Sequence, residues 1–117
     1  MIRIDNRYGS IELSQEYFRH LIGNAVSSCY GVAGMVRTGA QQGIRSLLTR
    51  RPHVDDGIRV RSEGGQLVVD LHIQVVFGMN ISAIAKSIVN KVRYTVEEAT
   101  GLSVRKVNVF VDSIQPE

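Results

Sequence analysis

Apolar residues recur along this chain with two different periods. Phe18, Leu21, Ile22, Ala25, Val26 and Cys29 fall at i, i+3, i+4, i+7, i+8 and i+11, a spacing that gathers them on one face of a helix and predicts that face to be buried. Ser14 stands just ahead of the set, where its hydroxyl can accept from the unpaired amides of the first helical turn. Gly31 is the expected stop, because glycine enters the left-handed region at little steric cost, and Val32 to Val36 then reads as a short strand. A second set, Ile81, Ile84, Ala85, Ile88, Val92, Val96 and Ala99, predicts a longer helix that opens near Asn80 and closes at Gly101. Lys86, Asn90, Arg93 and Glu97 fall on its other side. That side is expected to be an ordinary solvated face, with Arg93 and Glu97 as an i, i+4 pair worth at most ~0.5 kcal/mol.

Elsewhere the period is two. Leu67, Val69, Leu71, Ile73, Val75 and Phe77 share one side of a long strand, while Val68, Asp70, His72, Gln74 and Val76 share the other, so helices should cover the first side and water or a partner the second. Ile58 and Val60 alternate with Arg59 and Arg61 ahead of Gly64-Gly65, which makes residues 57–77 a hairpin. In the last strand Val107, Val109 and Val111 point inward. Leu102 and Val104 have the opposite parity, which requires a bulge near Arg105-Lys106 or a strand start after Val104. Ile11 and Leu13 form a short strand before the first helix, and Ile44, Leu47 and Leu48 suggest a short amphipathic helix within the connection 38–56. The predicted fold is α+β: a two-layer sandwich in which a small mixed or antiparallel sheet carries two main helices on one face, in the order β-α-β-β-β-α-β.

Size and charge narrow this picture. A chain of 117 residues with 44% apolar content fits a single domain spanning 1–117, large enough for one core without disulfide or metal support. Cys29 has no partner for an internal bridge and, on an apolar helix face, reads as core filler. Asp5 interrupts the start, MIRIDNR, where a secretory leader would run apolar, so a soluble protein of the cytoplasm is expected. The formal net charge is +3, yet Arg37, Arg45, Arg50, Arg51, Arg59 and Arg61 against Asp55 and Asp56 make a local +4. The rest of the chain is therefore close to neutral. A basic middle segment of this kind attracts phosphates, anionic lipid heads or an acidic protein surface through the same Coulomb field.

Candidate chemistry is sparse. There is no G-x-G-x-x-G, and no Lys-Ser or Lys-Thr follows Gly34, Gly39 and Gly43 at phosphate-loop spacing. His20, His53 and His72 are separated by 33 and 19 residues with no cysteine pair beside them, which leaves zinc without a ligand set. Asn80-Ile81-Ser82 reads as a helix cap rather than a glycosylation acceptor. Asp70, His72 and Gln74 form an outward row without a third group to converge on a substrate. No catalytic, cofactor or metal site and no small-molecule substrate are expected. Gly31-Val32-Ala33-Gly34 is a G-x-x-G after a helix, and with the basic segment it raises the alternative of a KH-like RNA-binding module.

The run YGSIELSQEYFRHLIGNAVSSCYGVAGM, followed by GIRSLL, GIRV and LVVDLHIQVVFGMNISAIAKSIVNKVRYTVEEATGLSVRKVNVFVDSI, resembles the alkaline shock protein/general stress protein family of Gram-positive bacteria. The resemblance spans roughly residues 8–114 and is most specific at Gly31-Val32 with Gly34-Met35, at Phe77-Gly78 and at Thr100-Gly101-Leu102 before Val107-Asn108-Val109. These are fold determinants rather than catalytic groups. The resemblance implies a non-enzymatic cytoplasmic protein, peripheral to the inner face of the cell membrane, that serves the envelope stress response. It further implies self-association and recruitment by a membrane-anchored partner protein. On that expectation Arg45, Arg50, Arg51, Arg59 and Arg61 steer the approach of a partner by charge, and His72 and Phe110 are contacts on the open sheet face, with Val68 and Val76 beside them.

Overall fold

The computed structural model describes residues 2–35 and 57–115. Strands β1 (Ile2–Asn6) and β2 (Gly9–Leu13) lead into helix α1 (Gln15–Ser27), then β3 (Val32–Met35). After the undescribed stretch come β4 (Ile58–Glu63), β5 (Gln66–Val76), helix α2 (Ile81–Thr100) and β6 (Val104–Gln115). Local chemistry accounts for the helix ends. The Ser14 hydroxyl accepts from Tyr17 N at 3.1 Å and the Asn80 side chain from Ala83 N at 3.0 Å, each supplying an acceptor to an amide the helix leaves unpaired. α2 stops at Gly101, which is left-handed with φ +77° and donates its amide to Glu97 O.

β5 organises a four-stranded mixed sheet. It pairs antiparallel with β4 from Ile58↔Leu71 to Glu63↔Gln66 and with β3 from Val32↔Val75 to Met35↔Ile73, and parallel with β6 from Leu67↔Val104 to Val76↔Gln115. Since β6 occupies one edge of β5 along its length, β3 and β4 share the other edge end to end. The chain therefore leaves that edge at Met35, opposite Ile73, and rejoins it at Ile58, opposite Leu71, only two residues or about 7 Å further along β5. The expected connection 38–56, with Arg45, Arg50 and Arg51, lies outside the described residues. The β4–β5 turn is Gly64-Gly65, both at positive φ (+59° and +82°), as a two-residue hairpin loop requires.

The core lies between the sheet and both helices. Phe18, Ile22 and Val26 of α1 and Ile84, Ile88, Val92 and Val96 of α2 join Leu67, Val69, Leu71, Ile73 and Val75 of β5 in one buried cluster. The two-layer α+β arrangement with both helices on one face is thus as the periodicity predicts. Of the two alternatives at Val104, the structure has the bulge and not a later strand start: β6 begins at Val104 and the register with β5 shifts between Leu67↔Val104 and Val68↔Lys106.

Several details differ from the sequence reading. Ile11 and Leu13 do form a strand, but it pairs with an additional strand, β1, in a separate two-stranded sheet. Only Ile2 and Leu13 anchor that hairpin to the core. α1 ends at Ser27 rather than running to Gly31, and Cys29 lies beyond it, half-buried, its thiol 3.5 Å from Ala25 O. β5 stops at Val76, so Phe77 is exposed in the following turn instead of joining the inward row. Ile81 and Ala99, at the two ends of α2, are exposed as well. The outer side of α2 is more than a solvated face. Glu97 Oε2 accepts from Val104 N at 2.8 Å and Arg93 Nη2 donates to Val104 O at 3.3 Å, clasping the start of β6.

Gly31 has a role other than ending α1. It is left-handed at φ +88°, its carbonyl accepts from Val76 N at 3.1 Å, and a β-carbon there would fall 2.6 Å from Ile84 Cδ1 and 2.9 Å from Cγ1. Gly31→Ala should therefore lower stability by about 1–3 kcal/mol in urea unfolding. Ile84→Val, which costs about 0.5–1.5 kcal/mol by itself, should cost less in the Gly31→Ala background.

Candidate interaction face

Alternation along β5 places Asp70 and His72 on the side of the sheet away from the helices, and the parallel register sets Asn108 beside Asp70 and Phe110 beside His72. The side chains of this face are bonded to one another. Arg61 Nη1 donates to Asp70 Oδ2 at 2.5 Å and its Nε donates to Glu63 Oε2 at 3.1 Å. Asn108 Nδ2 donates to the other oxygen of Asp70 at 2.8 Å. The His72 ring stacks on Phe110, with centroids 4.7 Å apart and planes 16° from parallel, while its Nδ1 lies 3.0 Å from Asp112 Oδ2.

Titration follows these contacts. Burial by itself would raise the Asp70 carboxyl, but the hydrogen bonds from Asn108 and Arg61 and the nearby guanidinium charge prevail and hold it below the usual carboxylate value. Arg61 is raised above its ordinary value, through its bonds to Glu63 first and Asp70 second. Both Arg61 and its acidic neighbours are reached by solvent, so the pairs fix geometry more than they add stability.

Of the expected contact residues, the structure brings Arg59, Arg61, His72 and Phe110 onto this one face. Arg59 is exposed and directly opposite Asp70 in the β4–β5 register, whereas Arg61 reaches Asp70 diagonally. Phe110 is 46% exposed, leaving the edge of the stacked pair open to a partner. Val76 is partly exposed, but Val68 is fully buried and offers no contact surface. Its register neighbours are Arg61 and Lys106, whose long stems can cover apolar surface. Asn108 and Asp112 were not singled out from sequence. Their signal was parity: if Val107, Val109 and Val111 face inward, Asn108, Phe110 and Asp112 face outward.

Among the described residues two clefts involve α2, in the helical layer. One, of about 410 Å³, runs along α2 past Ser82, Ala85, Lys86, Val89 and Asn90. The other, of about 240 Å³, lies at the start of β6, where Val89 and Arg93 meet Val104 to Asn108. Among the described residues no three His, Cys, Asp or Glu side chains cluster as metal ligands, and no helix is long and apolar enough to cross a membrane. The G-x-x-G of the KH-like alternative is not a loop between helices. Residues Val32–Met35 form β3, with Gly34 paired to Gln74, so sheet pairing engages the backbone that a phosphate clamp needs free.

Comparison with known proteins agrees on the family and the fold. A sequence profile of the alkaline shock protein 23 family, described as having a cell envelope-related function, matches residues 3–116. The uncharacterized protein YloU of Bacillus subtilis is 35% identical over 97% of this chain and 95% of its own length. Spy1614 of Streptococcus pyogenes is 29% identical over 97% of this chain and 94% of its own. Among solved structures, MamM CTD in a manganese form is 18% identical, covers 86% of this chain and 99% of that one, and superposes with a TM-score of 0.50. That likeness concerns the fold alone.

The depressed Asp70 carboxyl links the face to folding. A group held low in the folded state contributes stability above its unfolded value and loses it as pH falls through the folded one. Asp70→Asn should therefore flatten the stability curve below about pH 4. It should leave the slope near neutrality unchanged, as read by urea unfolding at a series of pH values.

Proposed function

The chain belongs to the alkaline shock protein 23 family, whose described function is related to the cell envelope, and from that premise we propose that it is a non-enzymatic scaffold module acting through protein contacts at the inner side of the envelope. The observation that carries this reading is the laterally bonded sheet face. Arg61 bonds Glu63 and Asp70, Asn108 bonds the other oxygen of Asp70, and His72 meets Asp112. Groups tied in this way present a fixed relief to a partner surface rather than free acids and bases to a substrate. Phe110, stacked on His72 and still accessible, supplies the aromatic anchor that such surfaces commonly centre on.

In this reading the protein is cytoplasmic, self-associates, and is held at the membrane by an anchored partner protein. Arg45, Arg50 and Arg51, with Arg59 and Arg61 beyond them, steer that partner through their shared positive field.

The test is cell fractionation of the tagged protein in its native host, combined with affinity capture after nuclease treatment. Arg50→Glu with Arg51→Glu should reduce the envelope-bound fraction by about tenfold, because reversing steering charges sets like against like, while the thermal melt stays as in the parent. Unchanged fractionation would remove the basic segment from the mechanism. Recovery of defined RNA, with no anchored protein, would overturn the scaffold reading.

A further inference from the structure

We propose that β6 pairs antiparallel with β6 of a second copy of this chain, in a register centred on Val109, so that one sheet runs through both copies. The proposal deepens the self-association contained in the scaffold reading and rests on it. It starts from an asymmetry between the two borders of the sheet. On the β4 side the edge is covered at Val60, whose N–H donates to Gln15 Oε1 at 3.0 Å and whose carbonyl accepts from Gln15 Nε2 at 2.6 Å. On the other side β6 is a twelve-residue strand; its first residue, Val104, is clasped in the same way by Glu97 and Arg93, but from Lys106 onward, among the described residues, it pairs with β5 alone. A long open edge is a template for another strand unless something blunts it.

The sequence of β6 is complementary to itself in one alignment. Opposed residues of an antiparallel pair lie on the same face of the sheet, and Asp112 is on the outer face because its carboxylate meets His72. With Val109 on the two-fold axis, Lys106 stands opposite Asp112, Asn108 opposite Phe110 and Val107 opposite Val111, each pair occurring twice by symmetry. Over Lys106–Val111, where the β5 register is regular, and the bulged Asp112 beyond it, the inner face then pairs only valines and the outer face gains two opposite-charge pairs. Centring on Asn108 instead sets Asp112 against the buried Val104, and centring on Phe110 sets Lys106 against Ile114. Only the Val109 register satisfies the charges. It also brings the exposed Ile114 of one copy to the Val104 end of the other, where the 240 Å³ cleft adjoins the strand.

Sedimentation velocity on the full chain tests this, with circular dichroism confirming that each variant folds. The parent should sediment as a dimer, and Lys106→Glu, which creates two like-charge pairs, should weaken dimerisation about tenfold or more. Combining Lys106→Glu with Asp112→Lys should restore it, which a merely local defect would not do. Val109→Cys in a Cys29→Ser background should give a disulfide-linked dimer with oxidised glutathione, whereas Arg59→Cys in the same background should not. A dimer that is indifferent to Lys106→Glu and stays uncrosslinked through Val109→Cys overturns the edge pairing and leaves self-association standing. A parent that is monomeric at every concentration overturns self-association itself.

Discussion

The structure depends on β5 being satisfied on three sides at once. Its row Leu67, Val69, Leu71, Ile73 and Val75 lies beneath both helices with at most 1% exposure, and burying side chains of this size contributes about 1.5–3 kcal/mol each. Its two edges are taken by β6 on one side and by β4 with β3 on the other. A strand held so completely cannot slip by one residue without turning the whole apolar row to solvent. The outward positions Asp70 and His72 are therefore fixed as well, and the bonded outer face follows from the packing of the inner one.

Between β5 and β6 the sheet is parallel, which obliges the chain to cross over, and α2 is that crossover. Its closing residues deliver β6 at the required height. Gly101 turns left-handed, Leu102 N donates to Thr100 Oγ1, and Glu97 and Arg93 hold the amide and carbonyl of Val104. Immediately afterwards the bulge at Arg105 changes parity, so that Val104 and Val107 both serve the inner layer. A side-chain clasp and an extra residue together reconcile a helix of fixed length with a strand of fixed register.

Much of this was legible in the sequence because period and punctuation agreed. The two helical faces, the Gly64-Gly65 hairpin, the Ser14 and Asn80 caps and the parity break near Arg105 are each local signals, readable without knowing the partner element. The misreadings concern relations between elements. Nothing local says that Ile11 and Leu13 pair with Ile2 and Ile4 rather than joining the main sheet, because an alternating strand does not name its neighbour. Glu97 looked like a solvated member of an i, i+4 pair, since its bond to Val104 N is created only when β6 returns. Val68 looked exposed because period two assigns a face, while burial depends on what the flanking strands lay over it. The outer face was half legible: parity supplied its members, but the Arg61–Asp70–Asn108 and Phe110–His72–Asp112 groupings needed the register.

That register also orders the charges of the outer face. There Arg61 answers Glu63 and Asp70, and the His72 ring meets the Asp112 carboxylate. Along β6 every residue from Val104 to Gln115 except the bulged Arg105 and Asp112 answers to β5 through the register and, on the proposal made above, the strand answers to its own copy as well. A strand that is held by β5 along one border and open along the other from Lys106 onward can join copies of the chain without disturbing the core packed beneath β5.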